Sequence, residues 1–229
     1  MLTPEEWTAV LLSLKVAFWA TFWSLPVAVA TAWLLARGRF PGRGLLDGLV
    51  YLPLVLPKVV VGYLLLISLG ARGFIGQYLD AWFGIKLIFT TAGATVAAAV
   101  VSFPLTVNAI RLALEAVDRG LEVAARTLGA SRIDVFFSVT LPLMLPGILS
   151  GALLAIASAL GEFGATITFV SNIEGQTRTI PLAIYSATHM PDGDAMALRL
   201  TVVSILLALG ALLLASLVDR RIRALLGRA

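Results

Sequence analysis

Residues 143–169 read LMLPGILSGALLAIASALGEFGATITF, and residues 114–142 just before them read LEAVDRGLEVAARTLGASRIDVFFSVTLP. The later stretch carries one ionisable side chain, Glu162, in an apolar run longer than the roughly 20 residues that cross a bilayer as a helix. The earlier stretch is too polar to cross. Working outward, runs 8–36, 46–69, 90–113 and 198–218 are also apolar, which makes five candidate spans. They lack the alternation of barrel strands, and only helices and closed barrels satisfy their own backbone in lipid. The expectation is an all-α membrane protein with five transmembrane helices in a single membrane domain covering 1–229.

Composition agrees. Of 229 residues, 59% are apolar and 13% charged, with a mean hydropathy of +0.97. Soluble domains carry about 25% charged residues, so a soluble enzyme is excluded as the leading class. There is no cysteine and one histidine, His189, which rules out thiolate chemistry and a His-rich metal site. The acidic start, Met1–Glu6, and the long run from Trp7 to Ala36 predict a retained helix, not a signal peptide.

The net charge of +4 is an orientation signal. Arg37, Arg39 and Arg43 share one connection, Arg111, Arg119, Arg126 and Arg132 another, and Arg220, Arg221, Arg223 and Arg228 the tail. Alternating topology puts all of these on one side, against Arg72, Lys86, Arg178 and Arg199 on the other, with Lys15 and Lys58 inside spans. The positive-inside rule then places the N-terminus outside and the C-terminus in the cytoplasm of a multi-pass cell inner-membrane protein. No basic patch with interleaved aromatics is left for nucleic acid. Trp7, Trp19, Trp23, Trp33 and Trp82 are expected mostly at span ends, as interfacial anchors.

In 114–142, good helix formers predict a helix over 120–128. Gly129 ends it, and Ser131 caps a second short helix to about Phe137. Val135, Phe136, Phe137 and Val139 are an apolar display on a cytoplasmic loop. Such a helix-turn-helix either lies on lipid or docks a soluble partner.

Here the sequence resembles the permease subunits of bacterial ABC importers. Their cytoplasmic loop follows the pattern E-A-A, three residues, G, nine residues, I, one residue, L-P. Ala124, Ala125, Gly129, Val139, Leu141 and Pro142 stand at those spacings. Val123 occupies the pattern's Glu position, Glu122 sits one residue earlier, and Val139 replaces Ile. The resemblance implies a type I importer permease fold working as a homodimer. It implies that this loop docks on one of two cytoplasmic ATPase subunits and that an extracytoplasmic binding protein delivers substrate. The chain has no GxxxxGK[ST] phosphate loop, so it is not itself an enzyme and binds no cofactor; ATP and Mg belong to the partner. Control by a separate domain is expected on the partners, because only about ten residues follow Asp219.

Within that family three stretches resemble the molybdate permeases: Leu52–Pro57 with Val59–Tyr63, Ser102–Leu105, and Gly161–Phe169. The resemblance implies transport of molybdate, with tungstate or sulfate/thiosulfate as alternatives. Lys58 departs from it, since such permeases usually carry a second proline after Pro57.

The residues themselves point the same way. Pro53, Pro57, Pro104 and the Gly161-Glu162-Phe163-Gly164 segment are expected to break their spans, exposing backbone amides and helix ends of the kind that bind anions in transporters. The plainer reading of the prolines is kinking for packing, and for Ser102, Thr106, Thr166 and Thr168 it is internal hydrogen bonding. Counted from Gly147, Glu162 lies about 22 Å along its helix, in the outer half of the membrane. A carboxylate there needs a partner, Lys58 or Arg178, and the pair is expected to hold an outer gate. A membrane-embedded enzyme would need clustered acid–base residues that the spans lack, and a channel or secondary transporter would have no use for the docking loop.

Overall fold

The computed structural model describes residues 2–225. Among them every regular element is helical. The basic tail's Arg228 lies outside the described residues.

Helix α1 (Pro4–Arg37) starts at a capping box. Thr3 accepts from the Glu6 amide, Glu6 reaches back to the Thr3 amide, and Pro4 occupies the first turn, where its missing N–H costs nothing. At 34 residues, or about 51 Å, α1 outreaches the hydrocarbon layer. The expected second span is two helices, α2 (Arg43–Val55) and α3 (Lys58–Leu69), bent by 116° at Leu56–Pro57. A short helix α4 (Gly76–Phe83) precedes α5 (Thr91–Glu115), which Thr90 caps.

The polar loop folds as expected, into α6 (Arg119–Thr127) and α7 (Arg132–Val135). A π-helical turn, Phe136–Thr140, then runs into α8 (Leu141–Leu160) without interruption. The expected fourth span thus ends at Gly161 and resumes as α9 (Gly164–Val170). Helices α10 (Ile180–Ala187) and α11 (Asp194–Leu225) follow. Among the described residues four helical stretches are long and apolar enough to cross a membrane, or five if the bent α2–α3 pair counts as one.

The proline expectation needs correction. Pro57 does separate two helices, but Pro53 and Pro104 lie inside α2 and α5, and Pro26 and Pro146 inside α1 and α8, without ending them. Embedded helices tolerate the lost bond because neighbouring groups take up the freed carbonyls. Near Pro104 the Ser102 and Thr106 hydroxyls donate to the carbonyls of Ala99 and Ser102, at 3.2 and 3.1 Å, which satisfies the hydroxyls within α5 and leaves the Val100 carbonyl as the one the proline frees. The tryptophan expectation also changes. Trp19 and Trp23 sit at mid-length of α1 and are exposed, in an aromatic ladder with Phe18 and Phe22.

Helix α5 is the hub. One cluster, mostly small and branched side chains, joins α1, α3, α5, α8 and α9 and includes Ala20, Val61, Ala97, Ala159 and Phe169. A second, toward the α6–α7 end, joins α1, α2, α5 and α8 through Ala32, Val50, Ile110 and Met144. Alanine-rich faces let the backbones approach closely, as membrane packing favours. A third cluster fastens α10 and α11 to the start of α1, where the Arg199 Nη2 and Nε both donate to Oε1 of the fully buried Glu6, at 2.7 and 2.9 Å.

Candidate functional site

Two groups of the expected residues are brought together, one at each end of α8.

At the near end, Asp118 caps α6 by accepting from the Gly120 amide at 2.8 Å. Gly129 takes φ +91°, a left-handed value open to glycine at little cost, and turns the chain. Ser131 then caps α7 in a second box, with Asp134 as the reciprocal partner. The Ser131 hydroxyl and amide hold the Asp134 carboxyl below its ordinary value.

Helix α6 has two faces. Leu121, Ala124, Ala125 and Leu128 fall on one, and Leu128 is 89% exposed. The opposite face holds Arg119, Glu122, Val123 and Arg126. Glu122 is bonded within the chain: its Oε1 receives the Arg37 guanidinium at 3.1 Å and the Thr140 hydroxyl at 2.9 Å. Arg37 also donates to the Leu114 carbonyl at 3.3 Å. One carboxylate therefore ties α6 to the end of α1 and to the π turn at the foot of α8. Val123, at the pattern's Glu position, is exposed. Val139, Leu141 and Pro142 carry the π turn into α8.

At the far end, Glu162 lies in the break between α8 and α9 rather than within a helix, and its side chain is 1% exposed. Its Oε1 accepts the Ala165 amide at 2.7 Å, satisfying an orphan donor at the start of α9. Its Oε2 lies 3.2 Å from the Lys58 ammonium, an ion pair by distance without hydrogen-bond alignment. Of the two expected partners, Lys58 is the one present. Arg178 instead binds Asn172 and Glu174 at 3.0 and 3.1 Å. Lys58 is the first residue of α3 and half exposed, so the pair joins a buried anion to a cation that reaches open space.

Sequence reasoning passed over what lets the pair form. A Cβ on Gly164 would stand 2.8 Å from the Lys58 Cβ, and one on Gly62 would stand 2.6 Å from the Ala165 carbonyl oxygen. Helices α3 and α9 touch because both positions lack a side chain, and the only signal for Gly62 was a glycine inside an apolar helix. Phe163 packs on Tyr185 at 5.2 Å, and Tyr185 on His189 at 4.4 Å. Thr166 is buried in the same segment. Ser102 and Pro104 sit inside α5, with the Ser102 hydroxyl spent on its own helix, so neither belongs to the Glu162–Lys58 group.

This arrangement resembles known transport proteins. A family model described as "Binding-protein-dependent transport system inner membrane component" matches residues 24–224. The Escherichia coli (strain K12) protein named "Molybdenum transport system permease protein ModB" is 60% identical over 228 residues, covering 100% of both chains. The Salmonella typhimurium "Sulfate transport system permease protein CysT" is 38% identical, over 93% of this chain and 76% of that one. Among solved structures, a chain of the MetNI methionine ABC transporter in inward-facing form superposes with a TM-score of 0.75 at 18% identity, covering 97% of this chain and 99% of that one. The last likeness concerns the fold alone. By the family match and the full-length identity together, this chain belongs to the inner membrane components of binding-protein-dependent transport systems.

Proposed function

We propose that the chain is the membrane subunit of an ATP-driven importer that carries molybdate into the cytoplasm. One observation carries the reading: 60% identity to ModB over 228 residues that cover 100% of both chains, so that the α6–α7 loop, the break at Gly161–Phe163 and the spans all lie within the shared length. The sulfate relative, at 38%, makes sulfate the second reading.

Two copies pair to supply ten spans around a pathway, each working as a single membrane domain. The N-terminus lies outside and the C-terminus in the cytoplasm, where each copy docks an ATPase subunit that holds ATP and Mg. This chain binds no cofactor of its own. The apolar face of α6, Leu121–Ala124–Ala125–Leu128, meets the ATPase. Closure of the ATPase pair pulls on α6, and the Glu122 ties pass that displacement to α1 and α8. Helix α8 ends against the Glu162–Lys58 pair, which gates the outer side. With the gate shut, Glu162 neutralises Lys58 and no strong site traps the anion. Opening frees the ammonium as a weak point of attraction for an oxyanion delivered by an extracytoplasmic binding protein.

The test is ATP-driven uptake into vesicles that hold the purified complex and its binding protein, comparing molybdate, tungstate and sulfate. Molybdate uptake exceeding sulfate uptake is expected. Sulfate uptake exceeding molybdate would overturn the substrate reading, and failure of any ATPase subunit to co-purify would overturn the importer reading.

A further inference from the structure

Behind α6, on the side away from the face assigned to the ATPase, a groove of about 490 Å³ opens between α6, α7, the π turn and the end of α1. Its lining includes the apolar side chains of Trp33, Ile133 and Phe136, the first two exposed, and the guanidinium groups of Arg119, Arg126 and Arg132. Glu122 also lines it but is already engaged by Arg37 and Thr140. Among the described residues none of these three arginines has a carboxylate within ion-pair distance. The nearby Asp118 and Asp134 are occupied in capping α6 and α7.

We propose that this groove binds one anionic phospholipid, its phosphate on the three arginines and its acyl chains on Trp33, Ile133 and Phe136. Charge complementarity selects the occupant, because three unneutralised guanidinium groups over an apolar surface match an amphiphile with an anionic head. Position agrees. Trp33 lies one turn before the end of α1, and the π turn feeds straight into α8, so the groove sits where both helices meet the membrane surface. The side opposite the Ala124–Ala125 face is the side a docked ATPase leaves open. The inference rests on the cytoplasmic placement of this end in the proposed function. Its consequence is that a lipid headgroup braces the element that receives the ATPase stroke.

The test counts lipids retained by the purified, delipidated chain after titration with phosphatidylglycerol or phosphatidylcholine, by native mass spectrometry. Phosphatidylglycerol should bind in preference. Its apparent affinity should fall at least about tenfold in R119Q/R126Q/R132Q and persist in R119K/R126K/R132K. Equal retention by the glutamine variant and the unaltered chain overturns the proposal. So does loss in both triple variants at unchanged elution volume, because charge is the claimed determinant. Displacement by millimolar inorganic phosphate would assign the site to a free oxyanion, and displacement by an added ATPase subunit would assign it to that partner. The count is read on the permease chain alone, so failure of an ATPase to co-purify bears only on the proposed function.

Discussion

The carboxylate of Glu162 is 1% exposed and lies 3.2 Å from the ammonium of Lys58, which is half exposed. The two halves of this pair are unequal in what each loses when the other is removed. Lys58→Met leaves a buried anion whose remaining partner is the Ala165 amide, whereas Glu162→Gln leaves a cation that water can reach. A buried carboxylate left without its cation costs more than a half-exposed ammonium left to water, so Lys58→Met should lower the melting temperature clearly more than Glu162→Gln. Glutamine also keeps an oxygen for Ala165. In transport, Glu162→Gln should leave assembly intact while ATP hydrolysis runs without matching uptake. Equal destabilisation by the two variants, or normal coupling in Glu162→Gln, would contradict the gate.

The contact between α3 and α9 supplies a second prediction. Gly62→Ala and Gly164→Ala each place a methyl group closer to its neighbour than van der Waals contact allows. Each should destabilise by about 1 to 3 kcal/mol, as overpacking does. Gly164→Ala presses on the Lys58 side chain itself, so it should also raise uncoupled ATP hydrolysis. Thermal denaturation and ATPase rates in the reconstituted complex measure both effects.

At the other end of α8, Glu122→Ala removes the acceptor shared by Arg37 and Thr140. A lost bond to a charged group of this kind costs about 1.5 to 3 kcal/mol. Since the apolar face of α6 is untouched, ATPase co-purification should persist while ATP-driven uptake falls further than binding does. Leu128→Asp should do the reverse, abolishing co-purification with little change in melting temperature, because that side chain is almost fully exposed.

The Glu6–Arg199 pair predicts an effect on stability alone. Arg199→Ala strands a carboxylate that the fold encloses, so it should lower the melting temperature clearly. Glu6→Gln, which keeps an acceptor for the Thr3 amide, should cost less. A similar melting temperature for the two variants would count against this account.

Much of the α6–α7 loop was legible because its signals are local. Gly129, Ser131 and the helix formers of 120–128 act within a few residues, and α6 and α7 form where those signals put them. The break at Gly161–Phe163 was legible for the same reason. The prolines misled, since what a proline does to an embedded helix depends on neighbours: Pro57 ends α2, while Pro53 is absorbed within it. Glu122 stood out only as a mismatch to a pattern, because its partners Arg37 and Thr140 come from distant parts of the chain.

The sequence by itself determined that this chain lives in lipid, with about five spans and a polar loop shaped as two short helices. Hydropathy over roughly 20 residues, turn chemistry and capping are properties of neighbouring residues, and no tertiary contact is needed to read them. Only the tertiary structure decided that Lys58, and not Arg178, faces Glu162, that Glu122 anchors inward, and that Gly62 and Gly164 bring α3 against α9. Those are matters of which surfaces meet. A buried charge takes whichever partner the packing of small residues brings within about 3 Å, and that distance is set by contacts between segments far apart in the chain.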